Sequence, residues 1–196
     1  ILENTRVFHV GSLSLTDDPS RTATYEAINI ARNSGAVISY DPNYRAALWS
    51  DPETAQLRMQ SLIPYVDMMK ISDEETSLLT PYQDPEEAIQ YLLRQGVHLV
   101  AVTLGRDGAL IGNENGIVKA EGFSSHAVDT TGAGDSFWGG FLASYLQEET
   151  SPEHLTRAQM IQFGRVGNAV ASLCVERRGG ISAIPEMEEI EERLRG

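Results

Sequence analysis

The chain has a single cysteine, Cys174, among 196 residues, so no disulfide can form within it. Cations are scarce: 15 Lys and Arg stand against 28 Asp and Glu, a net charge of −13. A surface this acidic has no general attraction for nucleic acid or an anionic membrane, and a polyanionic ligand would need a local positive site. No apolar run approaches the ~20 residues of a membrane span, and no signal peptide is visible. A cytoplasmic protein is expected. His9, His98, His126 and His154 are scattered and lack metal-site spacing. Gly-x-x-x-x-Gly-Lys-Ser/Thr is absent, which excludes a P-loop. Gly132-Ala133-Gly134 lacks the third glycine of the dinucleotide fingerprint, because Phe137 stands there. No repeat, low-complexity tract or linker is visible. One domain with a real core is expected at this length.

Apolar residues make up 41% of the chain, an ordinary globular share. Strand-like and helix-like segments alternate along it. Val7–Val10 reads as a buried strand. A helical run follows from Ser20 through Tyr25, Ile28 and Ala31 and stops at Gly35. Ala36–Tyr40 is β-rich, and Ser50-Asp51-Pro52-Glu53 is a helix start. Val66–Ile71 is a third strand, Asp84-Pro85-Glu86-Glu87 a further helix start, and His98–Leu104 a fourth strand. This alternation predicts a parallel sheet flanked by helices. Gly108–Asn113 and Gly116–Ala120 read as a hairpin across Glu114-Asn115. The tail is helical over Thr156–Val175 and Pro185–Leu194. Cys174 in that first run is expected to be buried and inert, and the glutamates of the last helix to form a solvated face.

The most informative run is Asp129-Thr130-Thr131-Gly132-Ala133-Gly134-Asp135, followed by Ser136-Phe137-Trp138-Gly139-Gly140-Phe141-Leu142. Small residues let backbone N–H groups approach a ligand. The apolar spacing through Phe137, Trp138, Phe141, Leu142, Tyr145 and Leu146 is helical. The turn therefore opens a helix whose free amides and dipole favour an anion such as phosphate. Asp135 stands at that mouth, where a carboxylate repels an anion unless it has another task. Taking a proton from a hydroxyl that then attacks phosphorus is such a task. A bare Gly-x-Gly-Asp can equally be a tight turn with a favourable first-turn charge.

The whole run resembles the C-terminal signature of the PfkB, or ribokinase-like, sugar kinases. Asp129, Gly132, Ala133, Gly134, Asp135, Gly139 and Gly140 match it in register. The resemblance implies a ribokinase-like, three-layer Rossmann-type α/β fold, a parallel sheet with helices on both faces. Residues 1–196 would be the C-terminal nucleotide-binding part of one such kinase domain, with an N-terminal part and a lid lying outside them. It implies Asp135 as catalytic base and Gly132, Ala133 and Gly134 as the anion hole. Fructose is the expected acceptor, with 2-keto-3-deoxygluconate, a riboside, or a nucleotide-binding fragment without turnover as alternatives. ATP and Mg2+ are implied, with K+ as a further expectation. A small-molecule sugar is the implied partner, without nucleic acid or membrane, and the family leaves room for a homodimer of the full-length protein.

Four further motifs carry implied roles, each beside a plainer reading. Asp41-Pro42-Asn43-Tyr44-Arg45 is by itself a turn former. It resembles a stretch of fructokinases and 2-keto-3-deoxygluconate kinases, which makes Arg45 a substrate-pocket residue. Ser72-Asp73-Glu74-Glu75 is a helix capping box. In register with the family's Asn-x-x-Glu, Glu75 would hold Mg2+ through water, and Ser72 replaces the Asn on the nucleotide side. Thr103-Leu104-Gly105-Arg106-Asp107-Gly108 is a strand and turn. The resemblance makes it a nucleotide loop, with Thr103, Gly105, Arg106 and Gly108 near ATP. Asn168 is either a satisfied core polar residue or the adenine-flanking position. Asp129 with the carbonyls of Val175–Gly180 would hold a monovalent cation. His126 reads as a surface or strand histidine.

Overall fold

A computed structural model describes residues 2–196 as two compact units, one ending at Ala101 and the other running from Val102 to Gly196. The first contains β1 (Val7–Gly11), α1 (Ser20–Asn33), β2 (Val37–Asp41), α2 (Pro52–Gln60), β3 (Met68–Ser72), α3 (Thr76–Leu79) and α4 (Pro85–Arg94). β4 (Leu99–Thr103) runs across the boundary between the units. The second contains β5 (Ala109–Asn113), β6 (Gly116–Ala120), α5 (Ala133–Tyr145), α6 (Arg157–Cys174) and α7 (Met187–Arg195).

In the first unit β1 pairs with β2 and β2 with β3, both parallel. Successive residues Ile38, Ser39, Tyr40 and Asp41 are all buried, as are Met68, Met69, Lys70 and Ile71. Side chains alternate faces along a strand, so both faces of these strands are covered, as parallel sheets require. The helices begin where the sequence marks them. The Asp51 carboxylate accepts the Thr54 N–H at 2.7 Å, and Asp84 accepts the Glu87 N–H at 3.0 Å, with Pro52 and Pro85 at the first helical positions. β3 starts two residues later than the apolar run suggests. Asp67 is occupied in joining its neighbours: its carboxylate accepts the Ile38 N–H at 2.7 Å, and its carbonyl accepts those of His98 and Leu99.

In the second unit β5 and β6 form the expected antiparallel hairpin, Ala109 opposite Ala120 and Asn113 opposite Gly116. α5 and α6 pack almost backbone to backbone. A Cβ on Gly167 would lie 2.6 Å from the Phe137 carbonyl oxygen, and one on Gly140 would lie 3.1 Å from the Gly167 Cα. Around this contact Trp138 stacks on Phe141 at 5.0 Å, and Phe141 meets Phe163 edge-on at 5.7 Å. Cys174 is buried, as expected. The last helix begins at Met187 rather than Pro185, because Glu186 caps it by donating its own N–H to Glu189 at 2.9 Å. Its glutamates are not all a solvated face, since Glu189 also pairs with Arg177. Among the described residues no helix is long and apolar enough to cross a membrane.

Candidate active site

The signature run forms a turn and a helix mouth in the second unit. Gly132 has φ of 79°, the left-handed region that a residue with a Cβ enters only at a cost. It lies against the Gly179-Gly180 loop so closely that an added Cβ would be 3.0 Å from the Gly180 Cα. The turn then feeds α5, which is held in place by the buried side chains of Phe137, Trp138 and Phe141. Of the amides at the mouth, Ala133 N–H donates to the Thr130 carbonyl at 3.2 Å and Ser136 N–H to the Gly132 carbonyl at 2.8 Å. Among the described residues no acceptor takes the Gly134 N–H. Of the residues expected to form an anion hole, Ala133 has its amide engaged in the turn and Gly134 does not. Asp135 is exposed in the first turn of α5. Gly139 has no atom within 4 Å of where its Cβ would be, so packing does not require glycine there.

Asp129 ties two loops together. Its Oδ1 accepts the Thr131 N–H at 2.9 Å and its Oδ2 the Gly179 N–H at 3.0 Å. These bonds, the Gly179 one foremost, hold its carboxyl at a pKa of about 2, well below the usual 3.8. The Val175 carbonyl, expected as a cation ligand, already accepts the N–H groups of Val128 at 2.7 Å and Asp129 at 3.1 Å. Asn168 is buried and donates its amide to the carbonyls of Ala120 at 2.9 Å and Glu121 at 3.0 Å. Its Oδ1 is the atom left for a ligand. In the third motif Gly105 and Gly108 take φ of 57° and 93°, and Leu104 N–H donates to the Gly108 carbonyl at 2.8 Å. A Cβ on Gly108 would strike the Ala120 carbonyl at 2.1 Å, so this glycine serves close packing. Thr103 is half-buried; Arg106 and His126 are exposed.

The first unit gathers buried charge at the ends of β2 and β3. Lys70 Nζ lies 3.0 Å from Asp41 Oδ2, with side chains 6% and 4% exposed. Asp41 opens a motif of the sequence, but no local pattern marks its pairing with Lys70. Two strands bring them together, 29 positions apart. Glu75, also buried, receives the Tyr44 N–H on Oε1 at 2.8 Å. Its Oε2 receives the Ser72 N–H at 2.9 Å and the Ser72 hydroxyl at 3.0 Å, within the expected capping box. Three of the roughly four acceptor sites of a carboxylate are thereby filled. Arg45 is exposed, and its guanidinium donates to the carbonyl of the adjacent Tyr44 at 3.0 Å.

The family model for pfkB family carbohydrate kinases matches residues 1–187. The chain belongs to the PfkB family. Probable fructokinase-4 of Arabidopsis thaliana is 35% identical over 198 residues, covering 100% of this chain and 60% of that relative. A Vibrio cholerae O395 fructokinase solved with fructose, ADP and calcium superposes with a TM-score of 0.88 at 32% identity, over 96% of this chain and 60% of that one. The aminoimidazole riboside kinase of Salmonella enterica, solved with aminoimidazole riboside and an ATP analogue, superposes at 0.86 with 26% identity, over 97% and 63%. The fold is ribokinase-like, and this PfkB chain spans about 60% of the length of these relatives. Among its described residues no group of three or more His, Cys, Asp or Glu could cage a metal ion. The carboxylate of Glu75 keeps one of its roughly four acceptor sites unfilled by the bonds described above.

Proposed function

We propose that this PfkB chain carries the phosphoryl-transfer machinery of an ATP-dependent sugar kinase, with fructose as the acceptor. One observation carries the reading: a left-handed glycine turn opens α5 so that the Gly134 amide and the Asp135 carboxylate share one helix mouth. An anion-binding amide beside an exposed base is what an in-line transfer needs. Asp135 takes the proton of a primary sugar hydroxyl. That oxygen forms a bond to the γ-phosphorus of ATP as the bond to the β,γ-bridging oxygen breaks, and ADP leaves. The Gly134 N–H stabilises the transferring oxygens, and the α5 dipole adds to it. Magnesium, bound with ATP, neutralises β- and γ-phosphate charge. Glu75 has room for one hydrogen bond to its water shell. For a monovalent cation the Asp129 loop offers less, since the Val175 carbonyl is already doubly bonded.

Arg45 reports the acceptor class. It is an exposed cation with no acidic partner among the described residues of a chain carrying a net charge of −13. The test is a coupled ADP-release assay on fructose, 2-keto-3-deoxygluconate and ribosides. It compares wild type with Arg45→Ala, both alone and joined to the N-terminal part of a fructokinase relative. Turnover of fructose with a small change in KM in the variant is expected. Turnover of the sugar acid alone, with KM rising steeply on loss of the charge-assisted bond, would replace fructose and keep the kinase chemistry. Turnover of no sugar, with ATP still bound, would leave a nucleotide-binding module.

A further inference from the structure

We propose that Glu75 is a positioning residue for the loop that carries Arg45, a role separate from any contact with metal-bound water. This rests on the reading of Arg45 as a substrate residue. The loop is a costly one to hold. Asn43 sits at φ of 47°, left-handed in a residue with a Cβ. Each residue from Asp41 to Tyr44 is tied down in turn. Asp41 pairs with Lys70 and accepts the Asn43 N–H at 3.0 Å. The Pro42 carbonyl accepts the Ser12 N–H at 3.3 Å and the Ser12 hydroxyl. The last tie before Arg45 is the Tyr44 N–H, and its acceptor is Glu75, 31 positions away.

Glu75 therefore spans two places. One oxygen closes the turn at Ser72, and the other ends the Arg45 loop. Hydrogen bonds to a charged, buried acceptor are the strong ones. A carboxylate offers an acceptor on both sides, whereas an amide offers one acceptor and one donor. Glu75→Gln can satisfy Ser72 or Tyr44 but turns an N–H toward the other. Glu75→Asp keeps the charge and is one methylene too short to reach both.

Trypsin reads the clamp in this chain as it stands, because Arg45 is itself a cleavage site on an exposed loop. Arg106, exposed in the second unit, is the internal control. Cleavage after Arg45 is followed by mass spectrometry for wild type and both variants, with circular dichroism confirming that each is folded. Both substitutions are expected to speed cleavage at Arg45 by about ten- to a hundredfold while leaving Arg106 unchanged. Equal rates at Arg45, or equal acceleration at Arg106, would overturn the proposal. Where the chain turns over sugar, the variants should raise the sugar KM. A raised Mg2+ requirement with an unmoved sugar KM would assign Glu75 to the metal alone. The proteolysis decides the clamp even if no sugar is turned over, so failure of the kinase reading is seen separately.

Discussion

Replacing Lys70 by Met should destabilise the first unit far more than an ordinary strand substitution. The pair it forms with Asp41 is buried on both sides, with 6% and 4% side-chain exposure. Removing the cation leaves the buried carboxylate at the end of β2 without its Lys70 partner. Breaking a buried pair on one side costs about 3–5 kcal/mol, a large share of the 5–15 kcal/mol typical of a folded domain. At this chain length that is a fall in melting temperature of roughly 6–20 °C. Met is close in length to the Lys stem, so little of the loss should come from a cavity. The double variant Lys70→Met/Asp41→Asn removes both charges and keeps an acceptor for Asn43. It should recover at least about 1 kcal/mol relative to the sum of the single variants. Urea titration followed by circular dichroism measures all four members of the cycle. A Lys70→Met cost below about 1 kcal/mol, or a double variant that equals the sum of the singles, would refute the argument.

Two glycines of the second unit should respond to alanine with opposite signs. Gly167→Ala places a Cβ 2.6 Å from the Phe137 carbonyl and should cost about 1–3 kcal/mol by overpacking, whereas Gly139→Ala meets open space and should stabilise by about 0.5–1 kcal/mol through helix propensity. Thermal melts of the two variants check this, and a shared sign would contradict the packing described. Asp129, with its pKa held at about 2, stabilises the fold above about pH 4, and that contribution is lost as pH falls through 2. Asp129→Asn should flatten the dependence of the urea midpoint on pH between 5 and 2; parallel curves for variant and wild type would show that the Gly179 and Thr131 bonds carry no such weight.

How much of this was legible in the sequence depends on how local each cause is. The α5 mouth was legible, because a small-residue turn and an apolar helical spacing occupy one continuous run. So were the helix starts at Asp51 and Asp84 and the β5–β6 hairpin, each set by residues within a few positions of one another. The Asp41–Lys70 pair was not. Lys70 reads as one polar residue in an apolar strand until strand register brings it beside Asp41. The same holds for the second partner of Glu75, the Tyr44 amide. Its Ser72 contact is local and was expected; its Tyr44 contact is tertiary. Asn168 is bonded as a core polar residue would be, its amide nitrogen donating to carbonyls at the end of β6. Asp129 sits in the signature, yet its visible work here is to fasten the Gly179 loop.

The most direct test of the central claim is Asp135→Asn, in whichever form of the chain turns over sugar, alone or joined to the N-terminal part of a fructokinase relative. Nucleotide affinity is measured by calorimetry and kcat at saturating sugar. Loss of a general base should lower kcat by about 10²–10⁴-fold while ATP binds as before. A variant that keeps more than about a tenth of the wild-type kcat would contradict the assignment of Asp135 as the base.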